Sequence, residues 1–344
     1  MNNYDQIHFS ERLGVLLEAG LPLLQSIVIL ETQASKKNKS LLTQVKNSII
    51  NGLSLSIALK RTNKFGEIAL AAIRVGESSG RLSSNLRSLA FNLNKKEQLK
   101  KKIQSALVYP LFISLSAFLL LALMILYIFP KVLPVFKSVN LELPLSTRIV
   151  MYTYTFLSNY WIYILSIITL IIFISAYSYK KHYKCRLYFY LSLLYIPLVS
   201  KIVSSITITS IFRSISIMLE SGMTISEALS ITEKTIINPL YKSALARISR
   251  LLERGGKISE CLINDTRLFS PTVTQMIEIG ETAGSLPMMC MRISDFSECE
   301  VDEITKNLSS SIEPLLMIIV GLFVGFIAVA IISPIYAITQ NIQH

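Results

Sequence analysis

A ten-residue stretch that occurs twice decides how this chain is organised. Its two copies are Ile73-Arg74-Val75-Gly76-Glu77-Ser78-Ser79-Gly80-Arg81-Leu82 and Ile277-Glu278-Ile279-Gly280-Glu281-Thr282-Ala283-Gly284-Ser285-Leu286. The copies start 204 residues apart, and Pro110 and Pro130 return at the same distance as Pro314 and Pro334. Earlier in each half, residues 17–23 resemble residues 219–225 at an offset of 202. Similarity at a nearly fixed offset indicates an internal duplication.

Both copies have the apolar spacing of helices. In the first, Phe9, Leu13 and Leu16 recur at intervals of three and four residues, and Gly20 ends that helix. No segment alternates apolar and polar residues between hairpin turns, so a sheet is not expected. The sequence therefore predicts an all-α protein with six short helices per copy. In the first copy we expect a break at 36–38 and later helices over 41–50, 55–61, 65–77 and 82–102.

Three uncharged apolar segments are long enough to cross a bilayer. They cover residues 107–129, 161–179 and 314–338, and a helix needs about 20 apolar residues to span the hydrocarbon core. The third segment carries Gly321 and Gly325, a spacing that lets two helices approach closely. The uncharged run 187–200 is shorter and contains Pro197, which favours an interfacial segment or a domain-entry helix over a span.

Basic residues set the expected orientation in the membrane. Lysines cluster before the first span, at 95–102, and basic residues follow the second, at 180–186, whereas the loop between these spans is poor in cations. Because Lys and Arg favour the cytoplasmic side, both clusters are expected there. The two copies can share a compartment only if an even number of crossings separates them, and the spans at 107–129 and 161–179 supply two. We expect two homologous cytoplasmic six-helix domains at 1–106 and 180–312, an exterior loop at 130–160, and a multi-pass plasma (inner) membrane protein with a cytoplasmic N-terminus.

The residues offer little for catalysis. The chain has no phosphate-binding loop and no HExxH helix, its three histidines are far apart, and its four cysteines show no CxxC spacing. Residues 76–80 fit a GxSxG nucleophile elbow by letter, but the residues before them read as helix and Thr282 takes the matching position in the other copy. We therefore expect no enzyme activity, catalytic residue, metal or cofactor. The net charge of +12 is assigned to segments near anionic lipid, not to nucleic-acid binding.

The repeated Gly-Glu-x-x-Gly-x-Leu motifs at 76–82 and 280–286 make the chain resemble the type II secretion system F-protein family. That family includes the type IV pilus platform proteins and their competence-pseudopilus relatives, and the resemblance spans nearly the whole chain. It implies an inner-membrane scaffold that couples a hexameric cytoplasmic assembly ATPase to the polymerisation of pilin or pseudopilin subunits. It also implies contacts with other membrane components of the machine, with lipid, and with further copies of the chain. The alternative is a small-solute transporter or transporter subunit, which the uncharged spans disfavour.

The repeated motif has two open interpretations. In the first, the motif glycines permit tight helix ends, and Glu77 and Glu281 cap backbone amides or pair with a cation such as Arg74 or Arg81. In the second, the same residues form a partner surface. The residues concerned are Gly20, Gly76, Glu77, Gly80, Gly222, Gly280, Glu281 and Gly284. Gly321 and Gly325 also leave two alternatives, packing on another span of the same chain or on a second copy.

Overall fold

Every regular element in the described part of the chain is helical, which confirms the all-α prediction. The computed structural model describes residues 3–128, 130–131, 134, 145–181, 183–194 and 197–342. Two compact units are distinguished. The first contains the residues up to Lys102 together with Tyr183–Ile304, and therefore holds the helices of both sequence copies. The second contains Ile103–His182 and the residues from Thr305 onward.

Six helices form the first copy, hereafter repeat 1, as the sequence predicts. They are α1 (Asn3–Glu18), α2 (Leu23–Thr32), α3 (Lys36–Ile50), α4 (Leu55–Arg61), α5 (Glu67–Ser78) and α6 (Leu82–Leu123). One boundary is wrong, because residues 36–38 form the first turn of α3 and do not break the chain. Ser35, which has an extended backbone, is the N-cap residue of α3, and its side chain makes no capping hydrogen bond. Serine is nevertheless a favoured residue at this position.

The core of repeat 1 follows from its amphipathic helices. Leu13, Ile27, Leu55, Ile73 and Leu86 come from five of the six helices, and all have 0% exposure. Removing such side chains from water stabilises the fold by about 1.5–3 kcal/mol each. Helix α3 contributes side chains to the same buried cluster, so the six helices share one core.

Seven helices form the second copy in the described range, one more than predicted. They are α8 (Tyr183–Leu194), α9 (Pro197–Glu220), α10 (Ile225–Thr235), α11 (Pro239–Leu252), α12 (Ile258–Ile263), α13 (Pro271–Thr282) and α14 (Leu286–Ile342). Helices α9 to α14 correspond to α1 to α6 and are called repeat 2. The extra helix, α8, packs against α9 and α11, and Pro197 begins α9 instead of interrupting a helix.

Helix α9 is apolar enough to be mistaken for a membrane span. Its segment Leu198–Glu220 has a mean hydropathy of 1.7 over its most apolar window, but 61% of that window is buried inside the protein. It also contributes Ile211 and Ile215 to the core of repeat 2. We therefore assign α9 to the core of this repeat, since its own domain buries most of its apolar window.

The last helix of each repeat continues without a break into an apolar span. Candidate spans lie within Leu82–Ile128, where the π-helical turn Met124–Ile128 extends α6, and within Leu286–Ala330 of α14. The predicted domain boundaries at 106 and 312 thus fall inside continuous helices, and no change in secondary structure marks them.

Helix α7 (Leu145–Lys181) carries the middle span and corrects the predicted loop. Residues 145–160 were expected to belong to an exterior loop, but they are helical. The helix bends by 46° between Thr147–Tyr163 and Leu165–Ile171. Counted with α6 and α14, α7 gives three candidate membrane-spanning elements, as predicted. Within the second unit, the Thr147 hydroxyl donates a hydrogen bond to the Ala330 carbonyl over 2.6 Å, beside the buried Val150 and Ile327.

Candidate functional site

The glutamate of the repeated motif caps a neighbouring helix. The Glu77 carboxylate, at the end of α5, accepts hydrogen bonds from the Leu55 amide, from the Ser56 amide at 3.1 Å and from the Ser56 hydroxyl at 2.6 Å. The next amide, of Ile57, donates to the Ser54 hydroxyl at 3.4 Å. The first three amides of α4 are therefore satisfied by side chains, and the negative charge lies at the positive end of a helix.

The second repeat builds the same cap with the equivalent residues. Glu281 accepts from the Ile258 amide at 2.6 Å, from the Ser259 amide at 3.1 Å and from the Ser259 hydroxyl at 2.6 Å. Helix α12 is only six residues long, and such a short helix depends on its caps and its packing for stability. The first interpretation of the two glutamates thus has direct geometric support, with amides and not Arg74 or Arg81 as their partners. Contact of this motif with another protein stays a prediction.

The first glycine of each motif allows two helices to approach closely. A Cβ atom on Gly76 would lie 3.0 Å from Asn85 Nδ2 and 3.1 Å from Leu82 Cα, and one on Gly280 would lie 3.1 Å from Met289 Cβ. Asn85 uses this proximity, because its buried Nδ2 donates to the Ala72 carbonyl over 3.1 Å. The glycine therefore places α5 directly on α6, which positions the glutamate next to α4.

The remaining motif glycines end helices in the left-handed backbone region. Gly80 and Gly284 have φ values of 70° and 66°, and Gly20 and Gly222 have φ values of 82° and 96°. Glycine is the residue that adopts this conformation without steric penalty, and it commonly follows the last turn of a helix. These four glycines fix where α5, α13, α1 and α9 stop and how the next helix departs.

Gly222 also lies where the two repeats meet. A Cβ atom at Gly222 would be 3.7 Å from Val75 Cγ1, and α5 contacts both α9 and α10. Repeat 1 thus uses its motif helix α5 to pack on the first two helices of repeat 2. Sequence reasoning found the residues on each side but not their proximity.

Ion pairs also join the repeats, near the end of the first unit. Lys102 Nζ of α6 lies 2.6 Å from Asp302 Oδ2 and 3.9 Å from Glu298 Oε1 of α14. The hydrogen bond from Lys102 to Asp302 raises the pKa of the lysine, and burial opposes that shift. On the other side of Glu298, the buried Arg213 guanidinium of α9 donates to Glu298 Oε2 over 2.5 Å. A chain of alternating charges therefore connects the two helices that continue into the membrane.

The described residues contain no cluster of three or more His, Cys, Asp and Glu side chains that could hold a metal ion. Burial raises the pKa of the Cys290 thiol to about 12, and burial also raises the pKa of the Cys261 thiol. Both cysteines are therefore neutral thiols near pH 7, and a thiolate is the form that acts as nucleophile or ligand.

The two glycines of the third span face open space among the described residues. A Cβ atom built on Gly321 or Gly325 would meet nothing within 4 Å. The described packing of this helix on α7 uses Ala330 instead, which lies against Val150. Packing of the two glycines against another helix stays a prediction.

Comparisons with known proteins agree with the duplicated architecture. The family described as type II secretion system (T2SS), protein F, matches residues 9–130 and 211–334, one segment in each copy. The type IV pilus assembly protein PilC of Thermus thermophilus is 30% identical over 336 residues, which cover 97% of this chain and 82% of the relative.

Two further relatives are a type IV pilus assembly protein and a type II secretion system protein. PilC of Pseudomonas aeruginosa, also a type IV pilus assembly protein, is 28% identical over 95% of this chain and 88% of its own length. The type II secretion system protein F of Aeromonas hydrophila is 23% identical over 97% of this chain and 86% of its own length. The likeness to both kinds of relative extends over nearly the whole chain.

Proposed function

Because the chain belongs to the type II secretion system protein F family, we propose that it is the inner-membrane platform of a type IV pilus or type II secretion machine. The observation that carries this proposal is the match of the family to both copies, each of which ends in a helix that continues into an apolar span. A protein of this kind acts by holding and moving other components. It therefore needs no catalytic centre of its own.

We further propose that both repeats and the N-terminus lie in the cytoplasm. The lysines at 95–102 and the basic residues at 180–186 support this orientation, since cations near span ends are retained on the cytoplasmic side. The short segment between the first two spans then faces outward. This arrangement presents α1 to α5 and α9 to α13 to cytoplasmic partners.

The proposed cytoplasmic partner is the hexameric assembly ATPase. Residues 1–106 contain 16 Lys and Arg against 7 Asp and Glu, a net charge of +9, which favours an acidic partner surface. Binding should weaken as salt increases, because the Debye length shortens to about 8 Å at physiological ionic strength. Movement imposed on the repeats would reach the spans through α6 and α14 and so be coupled to the polymerisation of pilin or pseudopilin subunits.

A genetic test separates the platform from the transporter alternative, which the comparisons do not favour. Deletion of the gene should abolish pilus or pseudopilus assembly and leave small-solute uptake unchanged, and the intact gene should restore assembly. Loss of uptake with normal assembly would refute the platform function. Purified protein should show no ATPase activity alone but should bind the assembly ATPase in low salt.

A further inference from the structure

Besides the ion pairs between α6 and α14, the contact between the two repeats is made by different helices on each side. Repeat 1 contributes α5, whereas repeat 2 contributes α9 and α10, which correspond to α1 and α2. Such a contact between homologous units is heterologous, and it leaves one half of the interface unused on each unit. Among the described residues, the unused halves are α13 on repeat 2 and the α1 and α2 pair on repeat 1.

The unused half on repeat 2 is exposed and carries one large apolar side chain, Ile279. In α5, Ala71 is buried, and the half-buried Val75 lies beside Gly222 of repeat 2. Their equivalents in α13 at the 204-residue offset are Gln275 and Ile279, and both are exposed, Ile279 by 55%. The α13 surface that corresponds to the α5 contact is therefore open to solvent.

The unused half on repeat 1 shows the same difference. Ile217 of α9 is 5% exposed, whereas its equivalent in α1, Val15, is 51% exposed. Ser221, next to Gly222, is buried, whereas its equivalent Ala19 is exposed. Leu24 and Val28 of α2 extend this exposed face. Large apolar patches rimmed by polar residues often mark protein interaction sites.

We infer that α13 of one chain docks on α1 and α2 of a second copy of this chain, in the arrangement by which α5 packs on α9 and α10 within the chain. The two open faces are the counterparts of surfaces that already bind each other within the chain, with Gln275 in the place of Ala71 as the main change. The inference concerns self-assembly and does not depend on the proposed ATPase partner.

Charge favours pairing of unlike repeats over pairing of like repeats. Residues 1–106 carry a net charge of +9, whereas residues 197–304 carry 10 Lys and Arg against 13 Asp and Glu, a net charge of −3. Two copies of repeat 1 would repel each other, and complementary charge suppresses wrong pairings. A chain that offers one face of each kind forms head-to-tail assemblies, which close into a ring where the rotation permits.

Cysteine cross-linking in membranes tests the arrangement with the full-length protein. Within the chain, Val75 packs beside Gly222, which follows Ser221. We therefore place the cysteines at Ile279, the equivalent of Val75, and at Ala19, the equivalent of Ser221. Chains carrying Ala19→Cys or Ile279→Cys, in a background with Cys185→Ser and Cys299→Ser, should each stay monomeric on oxidation when expressed alone. Co-expression of the two chains should give a disulfide-linked dimer, and a single chain with both substitutions should give dimers or larger species.

Two controls keep the test decisive. Pairing Ile279→Cys with a cysteine at Ile50, which is exposed on another helix, should give no dimer above background. Introducing Val15→Lys should reduce the Ala19 to Ile279 cross-link at least tenfold, whereas Ile57→Lys, at an exposed position of α4, should leave it unchanged. A dimer formed by Ala19→Cys alone would indicate pairing of like surfaces and overturn the inference. Absence of the mixed dimer from co-expressed, membrane-inserted chains would also overturn it.

Discussion

Removal of the Glu77 carboxylate is expected to release the N-terminus of α4. In Glu77→Ala, the Leu55 and Ser56 amides and the Ser56 hydroxyl lose their shared acceptor. Ser56 is 3% exposed, so water cannot readily replace the carboxylate. A buried donor without a partner costs about 1–3 kcal/mol. With two of the three donors shielded from water, we expect a loss of about 2–4 kcal/mol.

Hydrogen exchange measured by mass spectrometry on the full-length protein in detergent resolves this loss locally. A loss of about 2 kcal/mol increases the opening of α4 about 30-fold, since about 1.4 kcal/mol corresponds to a factor of ten. Peptides that cover residues 53–62 should lose protection, whereas those from α12 should keep it. Glu77→Gln should lose less than Glu77→Ala, because the amide retains one carbonyl acceptor.

Matched variants decide whether the cap causes the effect. Glu281→Ala should deprotect α12 and spare α4, because it makes the equivalent bonds in repeat 2. Glu67→Ala removes an exposed carboxylate from the first turn of α5 and should cost less than about 1 kcal/mol. Equal loss of α4 protection in Glu77→Ala and Glu67→Ala would refute the capping role.

Three other predictions follow from packing and burial. Gly76→Val should lower the free energy of unfolding by about 1–3 kcal/mol, measured by denaturant titration, because its Cβ would lie 3.1 Å from the backbone of α6, whereas Gly66→Ala should be nearly neutral. Cys290 should react with maleimide only after unfolding, since it is 2% exposed. Mass spectrometry should find Cys299, the exposed cysteine of the same helix, modified first. Gly321→Ile together with Gly325→Ile should leave the fold intact, because both positions face open space in the described part of the chain. The double substitution should abolish the disulfide dimers that a Leu322→Cys chain forms. Unchanged dimers would exclude this glycine face from self-association.

The helices of repeat 1 could be predicted because their ends are marked by local residues. Gly20 ends α1 with positive φ, as expected from the sequence, and Gly52 and Ser54 mark the end of α3 and the start of α4 in the same way. The error at residues 36–38 arose because three polar residues were interpreted as a break. They are the solvated first turn of a helix that begins after Ser35, and serine at an N-cap was the better signal.

The helical start of α7 was missed for a similar reason. Residues 145–160 mix tyrosines, threonines and serines, a composition that fits both a loop near the interface and a helix. The extent of α6 and α14 was also underestimated, because a change from charged to apolar composition was taken as a domain boundary. Composition changes with the surroundings of a helix, whereas the backbone hydrogen bonds continue through it.

The sequence predicted that Glu77 could cap backbone amides, but not that these amides belong to α4. Its acceptor role joins α5 to α4 across 21 and 22 residues of sequence. One signal could have identified the partner, since an apolar-Ser pair precedes the glutamate at nearly the same distance in both copies, at 55–56 and 258–259. The packing of α5 on α9 and α10 has no comparable sequence signal, because it depends on how two folded repeats meet.

The position of both repeats on one side of the membrane is the central claim of the proposed function, and reporter fusions test it most directly. An alkaline phosphatase or fluorescent reporter fused after residue 95 or residue 190 should report a cytoplasmic site. A reporter near residue 145 should report an exterior one, and all three fusions should be present at similar levels in the membrane. An exterior signal from either repeat, or a cytoplasmic signal at residue 145, would contradict the platform arrangement.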